Sequence, residues 1–218
     1  MTRLNARILL AAALFPALSG QAAAAVGSTT LEELVVNSDV IVIGTADRVV
    51  DLLGTRVGVL RVEETLKGAP REEVFVLTEG TWMCEVTETV PGERVLLFLE
   101  RHPWEGDWEL YEQDAIDEDD APFDWALRPG FGKALTELKG NEPLLRLAGE
   151  GCGQMPVRAV DGVEYAVLWM NKIRIPSRIE TIAGSEKHAF IRSAQLQDLE
   201  EYVRALVDLM RKWRPELE

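Results

Sequence analysis

Apolar residues along most of this chain follow the spacing that β-strands require. Segments 55–62 and 73–78 alternate apolar and polar positions, whereas 40–43 and 95–99 are continuous apolar runs. Alternation is typical of a strand with one buried face, and a short continuous run is typical of a strand buried on both faces. The pattern predicts strands at 40–50, 55–62, 73–78, 94–100, 108–111, 155–160, 163–170 and 173–175.

Helical spacing is confined to a few short segments and to the end of the chain. Thr29 and Glu32 have the spacing of a capping box, which predicts a short helix with Leu31, Leu34 and Val35 facing inward. The segment 63–68 is expected to form a helical turn closed by Gly68, and short helices are expected around Leu135 and over 142–147. The longest predicted helix begins after Ser193 as its cap and repeats apolar residues on one face at Leu196, Leu199, Val203, Leu206 and Met210.

Turn signals separate these strands at intervals of roughly 8–15 residues. Pro91-Gly92 and Asp161-Gly162 are examples, and the second pair predicts a hairpin. Strands do not alternate regularly with helices, which disfavours a parallel α/β sheet. The sequence therefore predicts a mainly β domain with flanking helices, built as a closed barrel or a sandwich.

The first 25 residues have the order of a secretory signal peptide. Arg3 and Arg7 precede an apolar run at 8–18, and small residues follow up to Ala25. The apolar run is too short to span a bilayer, which needs about 20 residues. We expect cleavage after Ala24 or Ala25, with a membrane anchor or an amphipathic first helix as the alternative, and hence a periplasmic or secreted protein.

The charge of the chain excludes some classes of partner. The whole sequence has 23 basic and 37 acidic residues, and loss of Arg3 and Arg7 with the leader leaves 21 basic residues and a net charge of about −16. Phosphate backbones and anionic lipids repel such a protein. We therefore expect no nucleic-acid partner and no membrane binding after cleavage, and cations or basic proteins are the charged partners that fit.

The two cysteines, Cys84 and Cys152, are expected to form a disulfide because exported proteins enter an oxidising compartment. The bridge would close a loop of about 68 residues and stabilise the fold by roughly 3–5 kcal/mol. Two buried thiols are the alternative. Neither cysteine has a second Cys or a His at metal-ligand spacing, so no metal site is predicted there.

Three segments carry a resemblance to a known module. Residues 38–45 read Ser-Asp followed by an apolar strand and Gly-Thr, residues 59–68 end in Leu-Lys-Gly, and residues 92–99 read Gly-Glu-Arg followed by an apolar strand. This order resembles uncharacterised exported bacterial proteins and the netrin-like, or tissue-inhibitor-of-metalloproteinase-like, module. The resemblance implies an OB-like antiparallel five-stranded barrel and a binding role of the inhibitor type.

The metalloproteinase inhibitors of that family chelate the protease zinc with an N-terminal cysteine, whereas this chain would begin near Val26 without one. With the resemblance, the expected layout is a leader at 1–25 and a single exported domain at 26–218. That domain divides into an OB-like core at 26–112, an acidic loop with short helices and a hairpin at 113–192, and a C-terminal helix at 193–214.

Six tryptophans occur in the chain, and three of them flank an acidic stretch. Exposed aromatic rings beside carboxylates could hold a carbohydrate or a basic peptide, and packing within hairpins is the alternative. The candidate binding residues are Trp104, Trp108 and Trp125. The acidic stretch offers oxygen ligands for calcium without the spacing of an EF-hand, and a solvated charged loop is the alternative. The candidate calcium ligands are Asp114, Asp117, Asp119 and Asp120.

Catalytic patterns are not convincing. Ser185, Lys187 and His188 lie close in sequence without a nucleophile elbow, and a Cys84–His102 dyad would need a thiolate that a disulfide removes. With 37 acidic residues, sequence alone singles out no glycosidase pair. No catalytic residue and no cofactor is therefore predicted.

The sequence favours a non-catalytic exported domain that binds an unidentified protein or small-molecule ligand in the cell envelope. The alternatives are a secreted hydrolase that uses surface carboxylates and a calcium-dependent structural or adhesion protein.

Overall fold

The computed structural model describes residues 29–78, 89–102, 130–149, 152–168, 173–183 and 192–213. Their elements, in chain order, are β1 (Thr29–Thr30), α1 (Leu31–Asn37), β2 (Val40–Leu52), β3 (Thr55–Lys67), β4 (Glu73–Leu77), β5 (Arg94–Arg101), α2 (Phe131–Lys139), β6 (Leu144–Leu147), β7 (Gln154–Val160), β8 (Val163–Leu168), β9 (Ile173–Arg174), β10 (Thr181–Ala183), β11 (Arg192–Gln195) and α3 (Leu196–Trp213).

Five strands close into a barrel, which confirms the predicted mainly β fold. Around the barrel the order is β2, β3, β4, β6, β5 and back to β2. All neighbours are antiparallel except β4 and β6, which run parallel, with Phe75 opposite Leu144. Counted along the chain, the barrel strands follow the order 1-2-3-5-4-1, which is the order of an OB-type barrel.

The long hairpin of β2 and β3 supplies the curvature that closure requires. Its register shifts at three places, one of them between Ile43 and Gly44. A Cβ on Gly44 would lie 2.5 Å from the carbonyl oxygen of Arg61 on the neighbouring strand, so only glycine fits there. Gly44 therefore lies at an irregularity of the ladder where two backbones approach closely, which is a usual place for glycine within a strand.

Apolar side chains fill the barrel. They alternate along the strands with those that face outward, as the pleat of a sheet demands. The inward set is Val40, Val42, Ala46, Leu60, Val74, Val76, Val95, Leu97, Leu99 and Leu145.

The strand β5 joins the barrel to a second sheet of β7, β8, β11 and β10. Its last residues pair with β6, and its first residues pair with β7. Between these two pairings, the connection from β6 to β7 lies beside Phe98 of β5. The Phe98 carbonyl oxygen accepts from the Ala148 amide at 2.9 Å, and the Phe98 amide donates to the Gly153 oxygen at 2.8 Å. A Cβ on Gly153 would lie 2.4 Å from the Phe98 oxygen, so the crossing needs a glycine.

The largest core lies between the outer wall of the barrel, the second sheet and the helices α1 and α3. It contains Leu34, Ile43, Phe98, Ala166 and Val203, all nearly inaccessible. On another outer face, α2 packs through Phe131 and Leu135 against β3 and β4. The predicted helices at both ends of the domain are confirmed.

Three local expectations were wrong. Residues 142–147 were expected to be helical, but Leu144–Leu147 form β6, because pairing with both β4 and β5 outweighs local preference. Residues 63–67 extend β3 instead of forming a helical turn, since Thr65 and Lys67 pair with β2. Ser193 lies in β11, so α3 begins at Leu196.

The capping box is shifted by one residue from its expected place. Thr30 Oγ1 accepts from the Glu33 amide at 3.0 Å, and Glu33 Oε2 accepts from the Thr30 amide at 2.7 Å. Thr29 instead pairs with Ile173 in the short sheet of β1 and β9.

Candidate functional site

One end of the barrel, here called the barrel mouth, is closed by the segment before β5. Thr89 lies over Gly58, where a Cβ would come within 2.6 Å of the threonine Oγ1. Val90 and the buried Gln154 complete the closure around an apolar cavity of about 10 Å³. That is roughly the space of one water molecule, whereas small-molecule sites span about 300–1,000 Å³. The remaining lining residues are Ala46, Leu60, Val76, Val95 and Leu97.

Just outside the mouth, a network of ion pairs is centred on Arg94 of β5. Its Nε donates to Glu63 of β3 at 2.6 Å, and Nη1 donates to Glu164 of β8 at 2.5 Å. The second oxygen of Glu63 accepts from Thr45 of β2 at 2.6 Å. One guanidinium therefore ties two barrel strands to the second sheet. Arg94 is on the same face of β5 as the core residue Leu96, and Glu164 is on the same face of β8 as the core residue Ala166. The network therefore lies at the edge of the large core.

Charged residues of the helix α3 lie close to the β3 part of this network. Arg204 donates to Glu64 of β3, and Glu200 lies near both. Burial, followed by the negative charge of Glu64, raises the pKa of Glu200. Burial also acts to raise the pKa of Glu63, but hydrogen bonds from Thr45 and Arg94 outweigh it, so this pKa lies below its ordinary value of 4.5. The pKa values of Glu200 and Glu63 are therefore displaced in opposite directions, although both residues lie in this network.

At the opposite end of the barrel, Lys67 holds the last turn of α1. Its Nζ donates to the carbonyl oxygens of Val35 at 2.8 Å, Val36 at 3.3 Å and Ser38 at 2.5 Å. All three ammonium donors are therefore used on carbonyls that the end of a helix leaves without intrahelical partners. Burial lowers the pKa of Lys67, and the nearby Asp39 carboxylate partly offsets this.

The same region explains two other residues of the recognised segments. Asp39 Oδ2 accepts from the Arg101 amide at 2.8 Å, which fixes the start of β2 against the end of β5. Gly68 has φ of +90°, and a Cβ there would lie 2.9 Å from the backbone carbonyl oxygen of Asp39. The Ser-Asp and Leu-Lys-Gly segments therefore meet in space, although 28 residues separate Asp39 from Lys67.

Of the predicted disulfide, only Cys152 lies in the described part of the chain. It packs against the large core in the turn between β6 and β7. Its Cβ would be 3.7 Å from a Cβ on Gly149, a position that also borders Thr29 and Leu34. Cys84 lies outside the described residues, so the disulfide stays a prediction.

The candidate binding residues Trp104, Trp108 and Trp125 lie outside the described residues as well. The structure does place the two ends of the segment that carries them. His102 follows β5, is buried, and donates its amide to Leu144 at 3.0 Å. Gly130 precedes α2 beside the β2–β3 turn, where a Cβ on it would lie 3.8 Å from Leu53 Cδ1. The tryptophan-bearing segment thus connects the end of β5 to the start of α2, and Gly130, the residue that follows it, lies beside Leu53.

The remaining candidates from the sequence also fall outside the described residues. They are the calcium candidates Asp114, Asp117, Asp119 and Asp120, and the polar group Ser185, Lys187 and His188. Within the described ranges, no cluster of three or more His, Cys, Asp or Glu side chains is arranged to hold a metal ion. In the same ranges, no helix has both the length and the apolar character needed to cross a bilayer.

Sequence reasoning missed the roles of Arg94 and Lys67. A signal was present in both cases, because each is a basic residue at the end of a strand within a segment of the resemblance, Arg94 before a strongly apolar run and Lys67 before Gly68. The partners could not be identified, since Glu164 lies 70 residues from Arg94 and Val35 lies 32 residues from Lys67.

Comparison of the sequence with models of protein families finds no match, and comparison with curated proteins finds no match either.

Proposed function

We propose that this protein is an exported, non-catalytic binding domain that uses the tryptophan-bearing segment between β5 and α2 to recognise its partner. The observation that carries the proposal is the strand order of the barrel together with the place of that segment. OB-type barrels bind ligands with the loops that join their first to second and fourth to fifth strands. Here these connections are the β2–β3 turn at Leu53 and the segment from His102 to Gly130.

The filled barrel supports recognition on the outside of the domain. Its interior positions are occupied by apolar side chains, and the cavity at the mouth has room for about one water molecule. A ligand would therefore contact surface side chains rather than enter the barrel. Aromatic residues supply large contact areas at such surfaces, which makes Trp104, Trp108 and Trp125 the candidate anchors.

The face that OB-type barrels add to these loops is occupied here. Phe131 and Leu135 of α2 pack on Val59 and Phe75, on the outer face of β3 and β4. Binding would then depend on the connections rather than on the strands. The acidic charge favours a basic protein or peptide and disfavours nucleic acid.

The cell-envelope setting rests on the leader, and the inhibitor-like role rests on the resemblance to the netrin-like module. Three residues of that resemblance have defined contacts in this fold. Gly44 and Gly68 lie where a Cβ would approach a neighbouring backbone oxygen, and Lys67 donates to carbonyl oxygens at the end of α1. A hydrolase and a calcium-dependent adhesion protein remain the competing functions.

The test compares two tryptophan variants of the exported protein. A triple variant, W104A/W108A/W125A, removes the proposed anchors, and W213A is the control because Trp213 is 71% exposed at the far end of α3. A lysine-rich peptide and a set of soluble oligosaccharides serve as probes, with tryptophan fluorescence and calorimetry as readouts.

We expect at least one probe to bind the natural protein and W213A but not the triple variant. Binding that survives the triple substitution would place recognition elsewhere. Turnover of a peptidase, esterase or glycosidase substrate that one point mutation abolishes would replace the proposal with an enzyme.

A further inference from the structure

The strand β3 presents two consecutive carboxylates to one side of the barrel. Neighbouring residues of a regular strand point to opposite faces. The register of β2 and β3 shifts between Ile43 and Gly44, however, and the partners of these two residues are Glu64 and Val62. Glu63 is therefore the extra residue of a β-bulge, a feature that re-aims side chains. As a result, Glu63 and Glu64 both reach guanidiniums on the side of the large core, one from β5 and one from α3.

The helix α3 adds a further carboxylate at the same place. Arg204 donates to Glu64, and Glu200 precedes Arg204 by one helical turn, so the two side chains are neighbours on the helix surface. Glu200 lies one turn after Leu196 and three residues before Val203, and both of these residues are buried. It is therefore on the side of α3 that faces the sheets, and it is itself partly buried.

The junction of α3 with the sheets holds more carboxylates than guanidiniums. Both guanidiniums already bind carboxylates of the strands, whereas no hydrogen bond or ion pair reaches Glu200 within the described part of the chain. Two further elements that pack on α3 carry charges that are bonded elsewhere. Glu32 of α1 accepts from Tyr202, and Arg192 of β11 donates to Thr181. The charged side chains of the junction besides Glu200 are Glu63 and Glu64 of β3, Arg94 of β5, Glu164 of β8 and Arg204 of α3.

These surroundings favour the neutral form of Glu200. Burial raises the pKa of Glu200 above its ordinary value of 4.5, and the charges of Glu64 and Glu164 add to that rise. Arg204 and Arg94 act in the opposite direction without reversing it. The neutral carboxyl therefore fits the folded protein better than the carboxylate does. The stability that it contributes is complete below about pH 4.5 and is lost as pH rises through the raised pKa.

We propose that the contact of α3 with the barrel and the second sheet is a pH-sensitive junction, in which protonation of Glu200 removes its repulsion from Glu64 and Glu164. Mildly acidic conditions then hold α3 more tightly over the large core. The range is bounded at lower pH, where protonation of Glu63 and Glu64 breaks their bonds to the guanidiniums. The junction makes the attachment of one helix, rather than the barrel itself, follow the acidity of the compartment.

The test follows urea unfolding of the full exported protein from about pH 4 to about pH 8, together with hydrogen exchange of the α3 amides corrected for intrinsic exchange rates. E200Q replaces the carboxylate with a neutral amide of the same shape. E201Q is the matched control, because Glu201 is the next residue of α3 and is exposed, where it accepts from Gln197 at 3.0 Å. Circular dichroism verifies that each variant is folded.

Near neutral pH we expect E200Q to unfold at a urea concentration about 0.3 M higher than the natural protein, and at about pH 4 the two midpoints should coincide. Between these conditions, protection of the α3 amides should rise about threefold more in the natural protein than in E200Q. E201Q should differ from the natural protein by the same amount throughout the range.

Parallel pH profiles for the natural protein and E200Q would overturn the proposal, as would a lower midpoint for E200Q near neutral pH. A pH-dependent shift of the midpoint without any change in α3 protection would place the effect outside the junction and overturn it too.

Discussion

Replacing Lys67 with methionine tests whether the contact between β3 and α1 stabilises the domain. Methionine keeps most of the apolar stem but removes the ammonium that donates to Val35, Val36 and Ser38. A hydrogen bond to a charged group contributes about 1.5–3 kcal/mol, and a charge at a helix end about 0.3–1 kcal/mol. The lysine is half-buried, so water can reach part of the site and replace some of these bonds. We therefore expect a loss of about 2 kcal/mol.

Urea unfolding followed by circular dichroism measures this loss. With an m-value of about 2 kcal/mol/M, the midpoint should fall by about 1 M. K133M is the control, since the Lys133 side chain is 84% exposed on α2 and its Nζ lies 4.0 Å from the carboxylate of Glu137. An exposed pair of that kind contributes at most about 0.5 kcal/mol.

The two variants must separate for the reasoning to hold. If K67M unfolds at the same urea concentration as K133M, the three carbonyl bonds do not stabilise the fold. If the m-value of K67M changes instead, α1 has detached from the barrel and the single midpoint no longer measures the cap.

Three further predictions concern other parts of the structure. G153A should destabilise the protein by about 2–3 kcal/mol in the same urea assay, because its Cβ would overlap a carbonyl of β5; a loss below that of a surface substitution would contradict it. The lowered pKa of Glu63 means that its ionised form adds stability above about pH 4.5, which is lost as pH falls through the lowered pKa, and R94Q should flatten this part of the stability–pH curve; an unchanged curve would show that Arg94 does not act on Glu63. Mass spectrometry of the unreduced protein should show Cys84 and Cys152 joined, and alkylation of both thiols in the denatured, unreduced protein would refute the bridge.

The elements that were predictable are those whose identity depends on local pattern. The run at 40–43 is buried on both sides because one set of side chains faces the barrel interior and the other faces the large core, as with Val42 and Ile43. A short continuous apolar run predicts a strand that is buried on both faces. The C-terminal helix was predictable for the same reason, since Leu199 and Val203 lie on its single buried face.

The errors arose where long-range pairing outweighs local preference. Leu144–Leu147 contain four residues with good helix propensity on average, yet they close the barrel between β4 and β5. Nothing within that segment specifies partners that lie 48 and 69 residues away, which are Leu99 for Leu147 and Phe75 for Leu144. The Arg94 network was hidden for the same reason, since its carboxylates come from β3 and β8.

Because β5 belongs to the barrel along one half and to the second sheet along the other, neither layer has an edge of its own where they meet. Loss of that strand would open the barrel and release the neighbouring sheet at once. The protein should thus respond to heat or denaturant as one cooperative unit, with no barrel fragment that survives alone. Mechanical continuity of this kind also means that strain introduced at one layer reaches the other through a shared backbone.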